Sequence, residues 1–250
     1  MTMRQESDVT ASYMIGMFDV LGFEKRVQRI GLDRIYGEYK ELLDAVGRRD
    51  SRLLVAALPT AENPSVCVAA LGSHILEHAY FSDTILVWSN YDRVRADSFL
   101  SICADLICES ILLRLPLRGA LAVGPAKMEP AEGVFLGTPI IEVAHVEREQ
   151  NWIGVSLGPS LHAQQHSFDG RLVIPYRRHL KPGATWARTL VVDWPRYWRD
   201  NRSEDLLSLL HRMRPRGDGR EKYDMTIAFV RYSDANSEWW RSQDPHLEGY

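Results

Sequence analysis

Tyr13-Met14-Ile15-Gly16-Met17-Phe18-Asp19-Val20-Leu21-Gly22-Phe23 opens as an apolar run and closes on a carboxylate, a glycine and an aromatic ring. Residues 13–20 read as a buried strand, and Gly22 behind them marks a tight turn. After Phe23 the period changes. Val27, Ile30, Ile35, Tyr39, Leu42, Leu43 and Val46 recur at helical spacing with charges between them, and Gly31 and Gly37 are places where that helix can break.

Outward from this stretch, residues 75–81 and 84–89 read as two strands with only Ser82-Asp83 between them. The second, Thr84-Ile85-Leu86-Val87-Trp88, is rich in β-formers, and so short a connection requires an antiparallel hairpin. Residues 51–73, with Pro59, Asn63 and Pro64, read as a loop leading into it. Residues 96–114 are helical through Phe99, Ile102, Leu106, Ile107, Ser110 and Ile111, and 117–124 form a strand containing Arg118 and Gly119. Residues 137–152 read as a helix with Thr138 as its N-cap and Pro139 at its first position. Further strands are expected at 153–157, 172–175 and 189–193, and further helices at 203–213 and 221–232, with 214–220 as a surface loop.

The order strand, helix, strand, strand, helix, strand matches a ferredoxin-like βαββαβ arrangement. A hairpin between two helical crossovers argues against a doubly wound parallel sheet. The expected class is therefore α+β: a flexible N-terminus over residues 1–12, then one domain over 13–250, with its core at about 13–160 and a C-terminal strand and helix elaboration over 161–250.

The composition sets limits. The chain has 250 residues, 45% hydrophobic and 25% charged, which is globular rather than fibrous or disordered. Thirty Lys and Arg against 33 Asp and Glu give a net charge of −3, so there is no general basic field for nucleic acid or an anionic membrane. The three cysteines, Cys67, Cys103 and Cys108, have no metal-ligand spacing and read as thiols in a reducing compartment. The N-terminal residues are polar, and the apolar runs are broken short of the roughly 18 residues that cross a bilayer. A cytoplasmic location with no direct membrane insertion is expected.

Asp19 and Asp83 are the most informative residues. One closes a strand before a Gly turn; the other sits at a hairpin tip. In a ferredoxin-like sheet the first strand can lie beside the central hairpin, which brings both carboxylates over one end of the sheet. Two hard carboxylates suit Mg²⁺ or Mn²⁺ and leave positions for water and phosphate oxygens. The turn from Val20 to Phe23 adds main-chain amides, and Gly22 permits close approach of a phosphate. The competing reading is that each Asp only bonds nearby turn backbone.

Ile15-Gly16-Met17-Phe18-Asp19-Val20-Leu21-Gly22-Phe23 resembles the first metal motif of class III nucleotide cyclases, and Phe81-Ser82-Asp83-Thr84 resembles their second. Leu117-Arg118-Gly119-Ala120-Leu121-Ala122-Val123-Gly124 is similar to the following strand of that catalytic core. Gly133-Val134-Phe135-Leu136-Gly137-Thr138-Pro139, running on to Ala144, Glu147 and Gln150, is similar to the segment feeding the next catalytic helix. The likeness covers roughly residues 14–157 and rests on order and spacing rather than on any single motif. Within the superfamily the chain is most similar to the bacterial pyrimidine cyclases of Pycsar anti-phage defence.

That resemblance implies a lyase converting UTP, or second CTP, to the 3′,5′-cyclic monophosphate and pyrophosphate. It implies two Mn²⁺ or Mg²⁺ ions per site at Asp19, Val20 and Asp83, with Asp19 and Asp83 catalytic. It implies nucleotide contacts at Phe18, Leu21, Gly22, Phe23, Tyr80, Arg118 and His145. A homodimer with sites at its interface, a separate effector gated by the cyclic nucleotide, and no nucleic-acid partner complete the expectation.

The chain departs from purine cyclases at several positions. Their base-selecting positions fall on Ala79 and Val134, both apolar, and their transition-state Asn and Arg fall on Ile141 and His145. His145, Arg148 or Arg118 are candidate substitutes. Each singled-out residue also has a plainer reading. Arg118 can form a salt bridge, Tyr80 can be sheet core, and His145 can be a surface or packed side chain. Arg177 and Arg178 can be a solvated strand end, and Glu142, Glu147, Arg148 and Glu149 a charged helix face. The late tryptophans, notably Trp194, Trp198, Trp239 and Trp240, suit packing or dimer contacts. The alternative functions are a non-catalytic nucleotide sensor, a purine cyclase, another palm-type enzyme and a structural module whose aspartates cap turns.

Overall fold

Alternate residues of one strand divide between two cores, which is what places the sheet at the centre of the molecule. The computed structural model describes residues 11–56, 76–91, 96–165, 168–186 and 190–242. β1 (Ser12–Val20) lies between β3 (Thr84–Asn90) and β4 (Leu117–Glu129), antiparallel to both, with β2 (Glu77–Phe81) outside β3. The order β2-β3-β1-β4 is the ferredoxin-like one. It continues through β6 (Gly154–Leu157), parallel to β4, to β8 (Leu190–Val192) and β7 (Val173–Pro175). The fold is the expected mixed α+β arrangement, its ferredoxin-like core extended beyond β4.

Met14, Phe18, Ile85, Val87 and Leu121 join the larger core. It is built with α2 (Leu32–Ala56), α3 (Ala96–Leu112), α6 (Trp194–Asn201), α7 (Leu206–Met213) and α8 (Arg220–Ala235). Ile15, Leu86, Trp88, Ala120 and Ala122 join a smaller core under α4 (Thr138–Arg148). Burial on both faces explains why the strands read as continuous apolar runs. α1 (Phe23–Ile30), α5 (Pro159–His162) and α9 (Trp239–Ser242) complete the α-helices of the described residues.

The Phe18 ring sets the register of β1 on β4. Phe18 pairs with Gly119, and a Cβ on Gly119 would stand 2.5 Å from Phe18 Cδ1 and 2.8 Å from the Met17 carbonyl. The ring therefore fills the place of a missing side chain, and that register sets Asp19 opposite Arg118.

Several expectations are corrected. The helix after Phe23 does break, at Gly31 (φ +81), while Gly37 lies inside α2. α2 runs through residues expected as loop as far as Ala56; the rest of that loop, residues 57–73, lies outside the described residues, as do residues 1–10. Ser12 already belongs to β1. β4 continues past Gly124 to Glu129 and turns back into a strand that was not expected, β5 (Val134–Gly137). α4 ends at Arg148, not Trp152, and its cap position is Gly137, so Thr138 is inside the helix rather than capping it. The helix expected from residue 203 starts at Leu206 with Asp205 as its cap, and α6 was not expected at all. Trp194 and Trp198 are buried core, as a packing role requires.

Candidate active site

Asp19 is brought to the end of β1 by the strand itself, and Asp83 is carried beside it by the hairpin. Ser82 takes φ +56, a left-handed conformation that closes the two-residue turn. The Asp83 carbonyl then accepts a hydrogen bond from the Val20 amide at 2.9 Å. Both aspartates line one cleft of about 720 Å³, together with Val20, Leu21, Gly22 and Phe23. Gly22 adopts φ +75 and caps α1, so the chain turns sharply beneath that cleft.

The charges around Asp19 differ from one side to the other. Its carboxylate is pushed up to about 6, first by burial and then by the charge of Glu147, against the opposing pull of Arg118; Asp83 adds to the rise. Arg118 reaches Asp19 at 3.4 Å but is committed elsewhere. Its Nε donates to Glu147 Oε1 at 2.5 Å, its Nη1 donates to the Gln150 carbonyl at 2.9 Å, and its Nη2 also pairs with Glu147. Arg118 and Glu147 are both buried, so the reading of Glu147 as part of a charged surface face is corrected.

Below them lies a polar network without charge. The Gln150 amide donates to the Gly119 and Val146 carbonyls, and its Oε1 accepts from Trp152 Nε1 and Ser156 Oγ. Because Ser156 spends its single proton there, it accepts from His179 Nε2 at 2.7 Å. This fixes a neutral His179 with its proton on Nε2, and burial pushes its pKa down to about 3.

The other expected residues are spread more widely. Phe18 is fully buried, so its side chain acts through packing. Tyr80 is 49% exposed on β2, which removes the sheet-core reading. His145 is exposed on α4 and stacks on Trp186 at 4.8 Å; neither it, Tyr80 nor Arg118 lines the cleft. Ile141 is exposed on the same helix. Arg177 and Arg178 are exposed.

The cleft also holds residues that sequence reasoning did not single out. Lys25, Arg26 and Arg29 come from α1, Arg114 from the turn after α3, Arg212 from α7 and Lys222 from α8. Six cations thus face Asp19, Glu24, Asp83 and Asp218, so the walls carry an excess of positive charge around a pair of carboxylates. The available signal was a change from apolar to basic after Phe23 and again around residue 212.

The donor set fits a hard divalent cation. Two carboxylates line one cleft, the ionised form of one of them is disfavoured by burial and by the neighbouring charge of Glu147, and no cluster of three metal-ligating side chains exists among the described residues. Coordination positions are therefore left for ligand oxygens.

Among solved structures the chain is similar to the catalytic core of a rhodopsin-guanylyl cyclase with converted specificity, in complex with ATPαS. That match has 14% identity and a TM-score of 0.51, and covers 73% of this chain and 96% of that one. It is also similar to the adenylyl cyclase CyaB from P. aeruginosa (9% identity, TM-score 0.49, 73% and 93% covered). A third similar structure is a bacterial light-regulated adenylyl cyclase (12% identity, TM-score 0.45, 82% and 57% covered). No protein-family model and no curated protein matches the sequence. At these identities the likeness is one of fold. No helix among the described residues is long and apolar enough to cross a membrane.

Proposed function

We propose that the protein is a metal-dependent nucleotide cyclase, a lyase that converts UTP, and less readily CTP, to the 3′,5′-cyclic monophosphate and pyrophosphate. The observation that carries this reading is the meeting of Asp19 and Asp83 in one cationic cleft, tied by the Val20 amide to the Asp83 carbonyl. A volume of about 720 Å³ lies within the range of small-ligand sites.

Asp19 and Asp83, with Val20 between them, would hold two Mn²⁺ or Mg²⁺ ions, which supply charge neutralisation at the phosphates and acidify the ribose 3′-hydroxyl. The chain's own residues bind and orient the substrate. The turn at Val20–Phe23 presents backbone to the triphosphate, and the cationic walls hold its phosphates so that the pyrophosphate can leave in line with the attacking 3′-oxygen. The 3′-oxygen forms a bond to the α-phosphorus, its proton passes to solvent, and the bond to the β-phosphate oxygen breaks to release pyrophosphate. Ala79 and Val134 offer no side-chain donor or acceptor at the positions where purine enzymes read the base, which supports a pyrimidine.

The reading extends to a homodimer with sites at its interface. Leu136, Ile141, Tyr80 and Phe81 are each about half exposed or more and supply apolar surface for a second copy. The product would act as a second messenger in anti-phage defence through a separate cyclic-nucleotide-gated effector.

The test is incubation of purified protein with each of the four nucleoside triphosphates and Mn²⁺, followed by product chromatography. Cyclic UMP is expected. Asp19→Asn and Asp83→Asn should each lower its formation by at least about a hundredfold with the fold retained. A purine product would overturn the base assignment, and no cyclic product from any triphosphate would overturn the activity.

A non-catalytic nucleotide sensor is the second reading. It is favoured by Ile141 and His145 standing where a transition-state Asn and Arg are expected, and by the commitment of Arg118 to Glu147. Binding of a triphosphate without turnover would select it.

A further inference from the structure

Part of the cleft wall comes from outside the βαββαβ core. Arg212 at the end of α7 and Lys222 in the first turn of α8 line it, with Asp218 in the loop between them. This loop is held in place. Arg214 pairs with Asp224 at 2.5 Å and Arg220 with Asp224 at 3.6 Å, while Tyr223, Ile227, Phe229 and Val230 anchor α8 in the larger core. Across the cleft mouth, Lys25 Nζ meets Asp218 Oδ2 at 3.0 Å, joining α1 to the loop.

Lys222 is half-buried and lines the same cleft as Asp19 and Asp83. Asp19 lies within reach of its charge, yet no hydrogen bond or ion pair satisfies its ammonium group among the described residues. Arg118, the strand cation that reaches Asp19 at 3.4 Å, makes its shorter bonds to Glu147 and the Gln150 carbonyl and does not line the cleft. A cation that shares a cleft with two carboxylates and has no ion-pair partner of its own matches the outer phosphates of a ligand whose inner phosphate lies at those carboxylates.

We propose that Lys222, with Arg212 beside it, binds the outer phosphates of the substrate, so that the C-terminal elaboration forms the second wall of the triphosphate site within the same chain. The proposal rests on the cyclase reading above and adds residues that the core motifs do not contain.

The test measures binding rather than turnover. Inorganic tripolyphosphate premixed with Mn²⁺ is titrated calorimetrically into the full chain. Lys222→Met is expected to weaken its binding at least about tenfold, the loss of one charge-assisted contact. Arg212→Gln should weaken it less, and Lys222→Arg should keep it within about threefold of wild type. Arg231→Gln, exposed elsewhere on α8, should leave it unchanged. The thermal midpoint of Lys222→Met should equal or exceed that of wild type, because a partly buried cation has been removed. Equal affinity of wild type and Lys222→Met overturns the proposal and leaves the cyclase reading standing. Failure of wild type to bind tripolyphosphate or any of the four nucleoside triphosphates overturns both.

Discussion

Arg118 has three acceptor groups around one guanidinium, and what happens to it on losing one of them shows how the site is held. Glu147 takes Nε and Nη2, the Gln150 carbonyl takes Nη1, and Asp19 shares Nη2 with Glu147. Glu147→Gln removes the main countercharge from a buried cation, so it should cost about 3–5 kcal/mol of stability, checked by urea unfolding at neutral pH. The two aspartates were legible because strand ends and hairpin tips are recognisable in one dimension. The role of Glu147 was not read, because a helix with several charges reads as solvated. The signal was there: Val143, Val146, Glu147 and Gln150 follow at i, i+3, i+4 and i+7, one stripe that the structure buries. A charge within an apolar stripe announces a buried partner, but only the sheet shows that the partner is Arg118.

Among the elements, β1 and β4 carry the most constraint. Gly119→Ala should destabilise by about 1–3 kcal/mol, since its new methyl meets the Met17 carbonyl as well as the fully buried Phe18 ring; chemical denaturation checks it. The hairpin of β2 and β3 was legible from a two-residue turn between β-rich runs. β5 was not read, since four residues are too few for a period. Gly133 at φ +68 before Val134-Phe135-Leu136 was the available mark of a reversal. α6 was missed although Asp193 caps it through the Arg196 amide and Pro195 opens it. Its two turns carry Trp194, Tyr197 and Trp198 at i, i+3 and i+4, a stripe too short to establish a period in sequence, and packing against α3 and α8 defines their inner face. Lys222 was illegible for another reason: nothing local tells a chain that its eighth helix will return to its first strand.

Across the whole molecule, the extension of the sheet through β6, β8 and β7 buries a titratable group that does not line the cleft. His179 faces Trp152, Tyr176 and Ser156, with no charged side chain in contact among the described residues. Its folded pKa of about 3 lies below the unfolded 6.5, so unfolding takes up a proton. Its contribution is present in full above about pH 6.5 and is lost as the pH falls toward about 3. Asp193, raised to about 6 by burial, works with the opposite sign: its share is full below 3.8 and lost as the pH rises through about 6. The two windows overlap, so the readout is a difference. Urea midpoints of wild type and His179→Gln, which keeps a donor for Ser156, should diverge less as the pH drops from 7 to 4. Parallel pH profiles for the two proteins would contradict the assignment. The pairing of Phe18 with Gly119 has one more consequence at this scale. A slip of two residues along β4 would press the ring onto Leu117 or Leu121, and a slip of one would turn it to the other side of the sheet. The strand therefore works as a key with one slot: a chain assembled out of step fails to close its core, so misaligned carboxylates do not persist within a molecule that is otherwise folded.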